Sequence, residues 1–261
     1  MKVILASESP RRSHLLQRIF KNFTVVPSGL DERKINGQDP LDYALKTAEA
    51  KARAVGEKYP DDLVIAADTV VTIDGLVLGK PASRQEAREM LERLSGRRHQ
   101  VITALVLFCQ NKQKLLSDHE ITEVAFKPLP SEDIETYLAL NTYADKAGAY
   151  ALQDVKDKFL EEINGDYYNV VGLPLNKLRQ LLRQFFEERL TGEVTGFLLP
   201  AGLGVIEATN GETYQVAGAY PGDQVKIAYQ PGRGKVHQAR LLSILRPSPA
   251  RRPAPCPHFG R

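Results

Sequence analysis

Cysteine is scarce in this 261-residue chain: there are two, Cys109 and Cys256, in unrelated contexts. So few, so far apart, argue against a disulfide framework and for a reducing compartment, with the cytoplasm the expected location. No apolar run approaches the ~20 residues that a membrane-spanning helix needs, so no membrane partner is expected. The opening MKVILASESPRR also lacks the roughly 7–15 apolar residues of a secretory core. Residues 2–6 are instead expected to form a buried strand. Internal repeats are absent, and so is a glycine-rich phosphate loop. What is present is an ordinary mixture, 43% hydrophobic and 26% charged. That length and mixture suit one large domain, or a domain plus a small module, with a core that needs no staples.

The net charge of +3 is unevenly spread. Residues 1–192 hold 27 basic and 28 acidic side chains, whereas residues 193–261 hold 8 and 4. A small basic module facing an anionic partner would show such a bias, although small domains often carry a few net charges. Patterning changes at the same place. Before it, strand and helix signals alternate: strands over residues 2–6, 23–27, 63–67, 100–108 and 115–126, and helices over 10–20, 41–59, 131–140 and 174–190. Leu41, Leu45, Ala48, Ala52 and Val55 recur at helical spacing. Asp74-Gly75 signals a hairpin, Asn36-Gly37 a turn, and Ser83 with Glu86 a capping box closed by Gly96. This reads as α/β with a mixed, twisted sheet. After Gly192, short strand-like runs separated by Asn210-Gly211, Pro221-Gly222 and Pro231-Gly232 suit a small β-barrel.

Three segments carry candidate chemistry. In LASESPRR, residues 5–12, a strand gives way to a helix with Ser9 as N-cap and Pro10 at its first position. Free N–H groups, the Ser7 and Ser9 hydroxyls and the Arg11 and Arg12 guanidiniums together make a phosphate cradle. A merely capped helix with two solvated arginines fits as well. In AADTVVTIDGLVLGKP, residues 66–81, Asp68 is expected at a strand end, with Lys80 able to return over it. A carboxylate beside phosphate-binding lysines suits polyphosphate hydrolysis, and a strand-end turn capped by Asp is the plain alternative. In DKAGAYALQ, residues 145–153, a loop ends in Gln153, which could pair with a base edge. Glu32 and Lys51, taken singly, read as surface charges.

Together these segments resemble the Maf family of nucleoside triphosphate pyrophosphatases. The resemblance runs from about Lys2 to Leu190, through LASESPRR, EAKARAV, AADTVV, DGLVLGKP, MLERLSGRRHQVITAL, DKAGAYALQ and INGDYYNVVGLPL in the family's order. It implies an elongated fold with a mixed twisted sheet and a central cleft. It also implies a divalent cation, Mg²⁺ or Mn²⁺, and cleavage of the α–β phosphate bond to a nucleoside monophosphate and pyrophosphate. By the same resemblance Asp68 is the proton acceptor, while Ser7, Ser9, Arg12, Lys51 and Lys80 surround phosphate. Glu32 and Asp68 would take the metal. Arg11, Thr69 and Gln153 match the subgroup that acts on dTTP and UTP. One stretch departs from that subgroup: Asp154-Val155-Lys156-Asp157 stands where it usually has a glycine-rich run.

Residues 193–246 resemble a TRAM domain, a small OB-like barrel, and residues 247–261 read as a flexible tail rich in Pro and Arg. The ending RPSPARRPAPCPHFGR is similar to the linker of ribosomal RNA uracil-5-methyltransferases, in which CPHFG opens a four-cysteine iron–sulfur site. Cys256 alone cannot hold such a cluster, so a fusion remnant is the expectation. Weak RNA binding through this part and a vestigial barrel are both compatible with it. The domain expectation is therefore a pyrophosphatase over residues 1–190, the barrel and the tail. The rival is an RNA-binding accessory protein with an inactive first domain. Modified pyrimidine nucleotides are a further substrate class for the same machinery. Oligomeric state is left open, a homodimer among the compatible states.

Overall fold

The computed structural model describes residues 1–208, 211–232 and 234–251. The chain divides into two units, Met1–Leu182 and Arg183–Arg261. Among the described residues no helix is long and apolar enough to cross a membrane.

The first unit is built on a seven-stranded mixed sheet. Its strands are β1 (Val3–Ala6), β2 (Thr24–Val25), β3 (Leu63–Ile73), β4 (Leu76–Leu78), β5 (Arg98–Cys109), β6 (Lys114–Phe126) and β7 (Leu160–Asn164). They lie in the order β2-β1-β3-β5-β6-β7, with β4 added to β3. β1 runs parallel to β2 and β3, while the neighbouring pairs β3–β5, β5–β6 and β6–β7 are antiparallel. The helices are α1 (Pro10–Leu16), α2 (Pro40–Gly56), α3 (Arg84–Leu94), α4 (Ser131–Leu138), α5 (Leu152–Val155), α6 (Tyr167–Val171) and α7 (Leu175–Phe186).

Helix α2 starts where Asp39 accepts a hydrogen bond from Asp42 N and Pro40 supplies a fixed φ. Its Ala44, Ala48, Ala52 and Val55 pack on Ile4, Val64, Ala66, Ala104 and Val106. Small side chains there bring the helix close to the sheet. Helices α3 and α4 bury Leu91, Leu94, Ile134 and Leu138 in a second cluster with Val71, Val101, Val124 and Phe126. Each such side chain contributes about 1.5–3 kcal/mol by leaving water.

Three local expectations change. The strand expected over residues 63–67 runs on to Ile73, because one edge of β3 pairs with β5 from Val64 through Thr72. Asp68 therefore lies in mid-strand and not at a strand end. The irregular stretch before Gly172 contains α5, β7 and α6; β7 is an edge strand with exposed glutamates, so it shows no apolar alternation. The first two residues of the departure after Gln153 belong to the short helix α5, in which Leu152 and Val155 are buried.

The second unit holds six strands: β8 (Glu188–Glu193), β9 (Gly196–Leu198), β10 (Leu203–Glu207), β11 (Thr213–Ala217), β12 (Gln224–Tyr229) and β13 (Val236–Arg246). Their order is β8-β12-β13-β11-β10-β9. The two outer strands, β8 and β9, are thus consecutive in the chain. Val194, Ile206, Tyr214, Val216, Val225 and Ile227 form its core. The last helix, expected to reach residue 190, stops at Phe186 because Glu188–Glu193 pairs antiparallel with Gln224–Tyr229. Residues expected to begin the tail are tied down: Ser248 N and Arg251 Nη2 both donate to the buried Asp223 carboxylate. Asn210, from an expected turn, and residues 252–261 with Cys256 lie outside the described residues.

Candidate active site

The site forms where β1 ends. β1 pairs with β3 as far as Ala6↔Ala66, and β4 takes up the same edge only at Val71. Between them that edge of β3 has no strand partner, and the chain leaves β1 through Ser7 into α1. Side chains alternate along a strand, so Asp68 shares a face with Val64, Ala66 and Val70, all packed toward α2. Thr69 points to the opposite face.

On the α2 face, Lys51 reaches across to two carboxylates. Its Nζ donates to Asp68 Oδ1 at 2.7 Å and lies 2.8 Å from Glu32 Oε1. Lys80, exposed on the loop after β4, approaches Glu32 Oε2 at 3.4 Å. Lys51 and Asp68 are each 6% exposed. Burial pushes the Asp68 carboxyl above the ordinary carboxylate value, with Glu32 adding to the rise, and Lys51 and Arg12 only partly oppose it. For Glu32 burial also acts upward, but Lys51 and Lys80 outweigh it, and the net direction is down. The two carboxylates thus differ: Asp68 holds a proton more readily than a free aspartate, Glu32 less readily than a free glutamate.

Glu32 stands on a short 3-10 turn, Glu32–Lys34, whose carbonyl at Glu32 accepts from the Tyr43 hydroxyl at 3.4 Å. The same loop packs on the first turn of α2 at Gly37. A Cβ there would sit 2.5 Å from the Tyr43 backbone, so only glycine fits.

On the other face, Arg12 is held from three sides. Its Nε donates to Gly172 O at 2.9 Å, Nη2 to Thr69 Oγ1 at 3.0 Å and Nη1 to Ser7 Oγ at 3.4 Å. Desolvation lowers the Arg12 pKa from its usual value, against the pull of Asp68 and Glu32. Arg12 therefore lies within electrostatic reach of the Asp68 cluster although its fixed partners are on the opposite face. Ser9 takes the N-cap position of α1 without a side-chain cap bond; its N–H donates instead to Ser7 Oγ at 3.1 Å. The expected Ser9 hydroxyl cap is therefore not formed.

Ser7, Glu32, Arg12, Lys51, Asp68 and Lys80 are thus linked by direct contacts or close electrostatics. Arg11, Thr69 and Gln153 do not meet among the described residues. Arg11 pairs with Asp145 at 3.2 Å, Thr69 binds Arg12, and Gln153 is exposed on α5. Sequence reasoning missed Thr103, Asn169, Gly172 and Lys146. Lys146 is buried and contacts the Thr142 carbonyl and Asp145. Thr103 offered a usable signal: a hydroxyl amid the aliphatics of β5 has to find a hydrogen-bond partner.

A family model described as Maf-like protein matches residues 2–185. The chain belongs to the Maf family. Curated relatives agree over the same stretch. The dTTP/UTP pyrophosphatase of Clostridioides difficile is 43% identical over 190 residues, covering 73% of this chain and 98% of that protein. The enzyme of the same name from Pyrococcus furiosus is 45% identical, covering 69% and 94%. That of Symbiobacterium thermophilum is 46% identical, covering 73% and 97%. The Staphylococcus aureus Ham1 protein aligns at a TM-score of 0.42 and 13% identity over 71% of this chain and all of its own. The Maf match ends within α7, so every candidate site residue lies inside it.

The donor set fits a hard cation bound in part by substrate. Glu32 and Asp68 offer carboxylate oxygens, and no group of three His, Cys, Asp or Glu side chains suited to a metal exists among the described residues. Mg²⁺ in nucleotide enzymes is held this way, by one or two carboxylates with water and substrate phosphates completing the shell.

Proposed function

We propose that this chain hydrolyses nucleoside triphosphates at the α–β phosphate bond, with dTTP and UTP as preferred substrates. The observation that carries this reading is the cluster of buried Asp68 and Lys51 with half-buried Glu32, set within electrostatic reach of Arg12 where β1 ends. Water attacks the α-phosphorus, a new P–O bond forms, and the bridging P–O bond to the β-phosphate breaks. One proton of the water passes to Asp68; the other stays on the nucleoside monophosphate, and pyrophosphate leaves. A carboxylate with raised proton affinity suits that task better than an ordinary one. Arg12 and Lys80 bind the polyphosphate, and Ser7 contributes a hydroxyl beside Arg12. Glu32 and Asp68 would hold a divalent cation, Mg²⁺ or Mn²⁺, which when bound neutralises charge on the polyphosphate. Support for the pyrimidine preference comes from the names of the relatives and from the match to the dTTP/UTP subgroup pattern at Arg11, Thr69 and Gln153.

A panel of nucleoside triphosphates, scored by pyrophosphate release, tests the reading. dTTP and UTP are expected to give the highest kcat/KM. Gln153→Ala is expected to lower kcat/KM for UTP by several-fold, since a hydrogen bond to a base edge contributes about 0.5–1.5 kcal/mol net. A wild-type preference for purines would reject the substrate class.

For the second unit the reading is a TRAM module of OB-like barrel form with weak, salt-sensitive RNA affinity. Support comes from the consecutive outer strands β8 and β9, from the basic excess, and from the stacked Phe197 and Tyr220 rings, 5.4 Å apart. All proposed catalytic residues precede it. A chain ending at Phe186 is therefore expected to hydrolyse UTP within a few-fold of the full chain and to lose the RNA affinity. One ending at residue 191 would retain four of the six residues of β8 without β12 and is expected to be less soluble. Loss of hydrolysis in a folded chain ending at Phe186 would assign part of the active site to the second unit.

A further inference from the structure

We propose that Thr103 and Asn169 are positioning residues for Arg12, and that Thr69 acts through Arg12 and not as a donor to the nucleobase. This rests on the pyrophosphatase reading above, in which Arg12 binds the polyphosphate.

The argument comes from the direction of three hydrogen bonds. Arg12 Nη2 can only donate, so Thr69 Oγ1 accepts it at 3.0 Å. Thr103 Oγ1 donates its single hydrogen to the Asn169 carbonyl at 3.0 Å. The two hydroxyls lie 2.9 Å apart and form a directly opposed pair in the β3–β5 register. Thr103 has no second hydrogen, so Thr69 must donate to it. The chain therefore runs one way, from Arg12 through Thr69 and Thr103 to the carbonyl of Asn169.

Asn169 anchors that end. It is fully buried, and its Nδ2 donates to Val101 O and Thr122 Oγ1, both at 2.9 Å. Three residues on, Gly172 supplies the carbonyl that takes Arg12 Nε. Gly172 has φ 112°, and a Cβ on it would stand 3.4 Å from Thr69 Oγ1 and 3.6 Å from Arg12 Nε. Helix α6 thus fixes both ends of the Arg12 cradle. Three of the five guanidinium N–H groups are committed to protein. One on each terminal nitrogen is left for ligand oxygens. Thr69 has no hydrogen left to give. Its hydroxyl also lies on the sheet face opposite Asp68. A Thr at this position would then affect substrates by how it holds Arg12.

The test uses the full chain and two readouts. Binding of inorganic triphosphate is measured by calorimetry, and kcat and KM are measured for UTP and ATP. Thr103→Val, nearly isosteric, is expected to weaken triphosphate binding and to lower kcat/KM about tenfold, with Thr103→Ser restoring both. Thr69→Val is expected to reduce kcat/KM for UTP and ATP by the same factor. The double variant should be no worse than Thr69→Val alone, because both changes break one chain of bonds. A base-selective loss in Thr69→Val, multiplying effects, or wild-type behaviour in a folded Thr103→Val would each overturn the inference. Should Thr103→Val fail to fold, the Thr69→Val comparison between bases decides it. A wild type that binds triphosphate but hydrolyses nothing would reject the enzyme reading while leaving the cradle testable by calorimetry. A wild type that does not bind triphosphate overturns the cradle itself.

Discussion

Asp68→Asn is expected to keep the fold and much of the nucleotide affinity while kcat falls by about 10²–10⁴. The amide matches the carboxylate in size and can still meet Lys51 through its oxygen, but it cannot accept the proton of the attacking water. Stability should move the other way. Because the folded-state pKa of Asp68 is raised, the native protein binds that proton more tightly than the unfolded chain does. The stabilisation that follows is fully present below the unfolded pKa and is lost as pH rises through the folded one. Near neutral pH the buried charge is therefore a cost, which Asn removes. In chelator, thermal unfolding of the variant is expected at or above the wild-type temperature at pH 7, the difference shrinking as pH falls through the carboxylate range. Near-normal turnover in Asp68→Asn would sink the assignment of the base. A variant much less stable than wild type at pH 7 would contradict the electrostatic account.

Lys51→Met is expected to do more damage to the fold than any other single change at the site. Lys51 joins Asp68 and Glu32 at 2.7 and 2.8 Å. Without it two neighbouring carboxylates, one of them deeply buried, face each other with no cation between them. Removing one partner of a buried pair costs about 3–5 kcal/mol. The proposed base also loses the partner that holds it, so part of the about 10²–10⁴-fold that a positioned base supplies is expected to go from kcat. Divalent cation gives a second readout. If Glu32 and Asp68 are the ligands, Mg²⁺ or Mn²⁺ should raise the unfolding temperature of Lys51→Met by more than it raises that of wild type. An equal rise in both proteins would place the cation elsewhere.

Much of this protein was legible in one dimension, for local reasons. The Asp74-Gly75 hairpin follows from two residues that accept positive φ, here 53° and 76°. Helix α3 begins where Ser83 accepts from Glu86 N, and the inner face of α2 follows from apolar spacing. Each depends on residues within a turn or two of one another. The ordered blocks of the Maf family were legible too, since several motifs at consistent spacing carry more information than any single one.

The sequence by itself determined the α/β character of the first unit, its helix starts and turns, and which residues could do phosphate chemistry. Only the tertiary structure decided how they act together. Asp68 and Thr69 are neighbours in the chain, yet strand geometry sends them to opposite faces, one toward Lys51 and the other toward Thr103. Whether Asp68 stands at a strand end depends on how far β5 follows β3, and local propensity says nothing about that. Glu32 and Lys51 look like surface charges until the loop at Gly37 closes on Tyr43 and brings them to one buried aspartate. Helix α7 gives way to β8 because β12 lies alongside. Hydrogen-bond pairing, desolvation and the strength of a charge pair are all set by groups distant in sequence, and they become fixed only when the chain has folded around them.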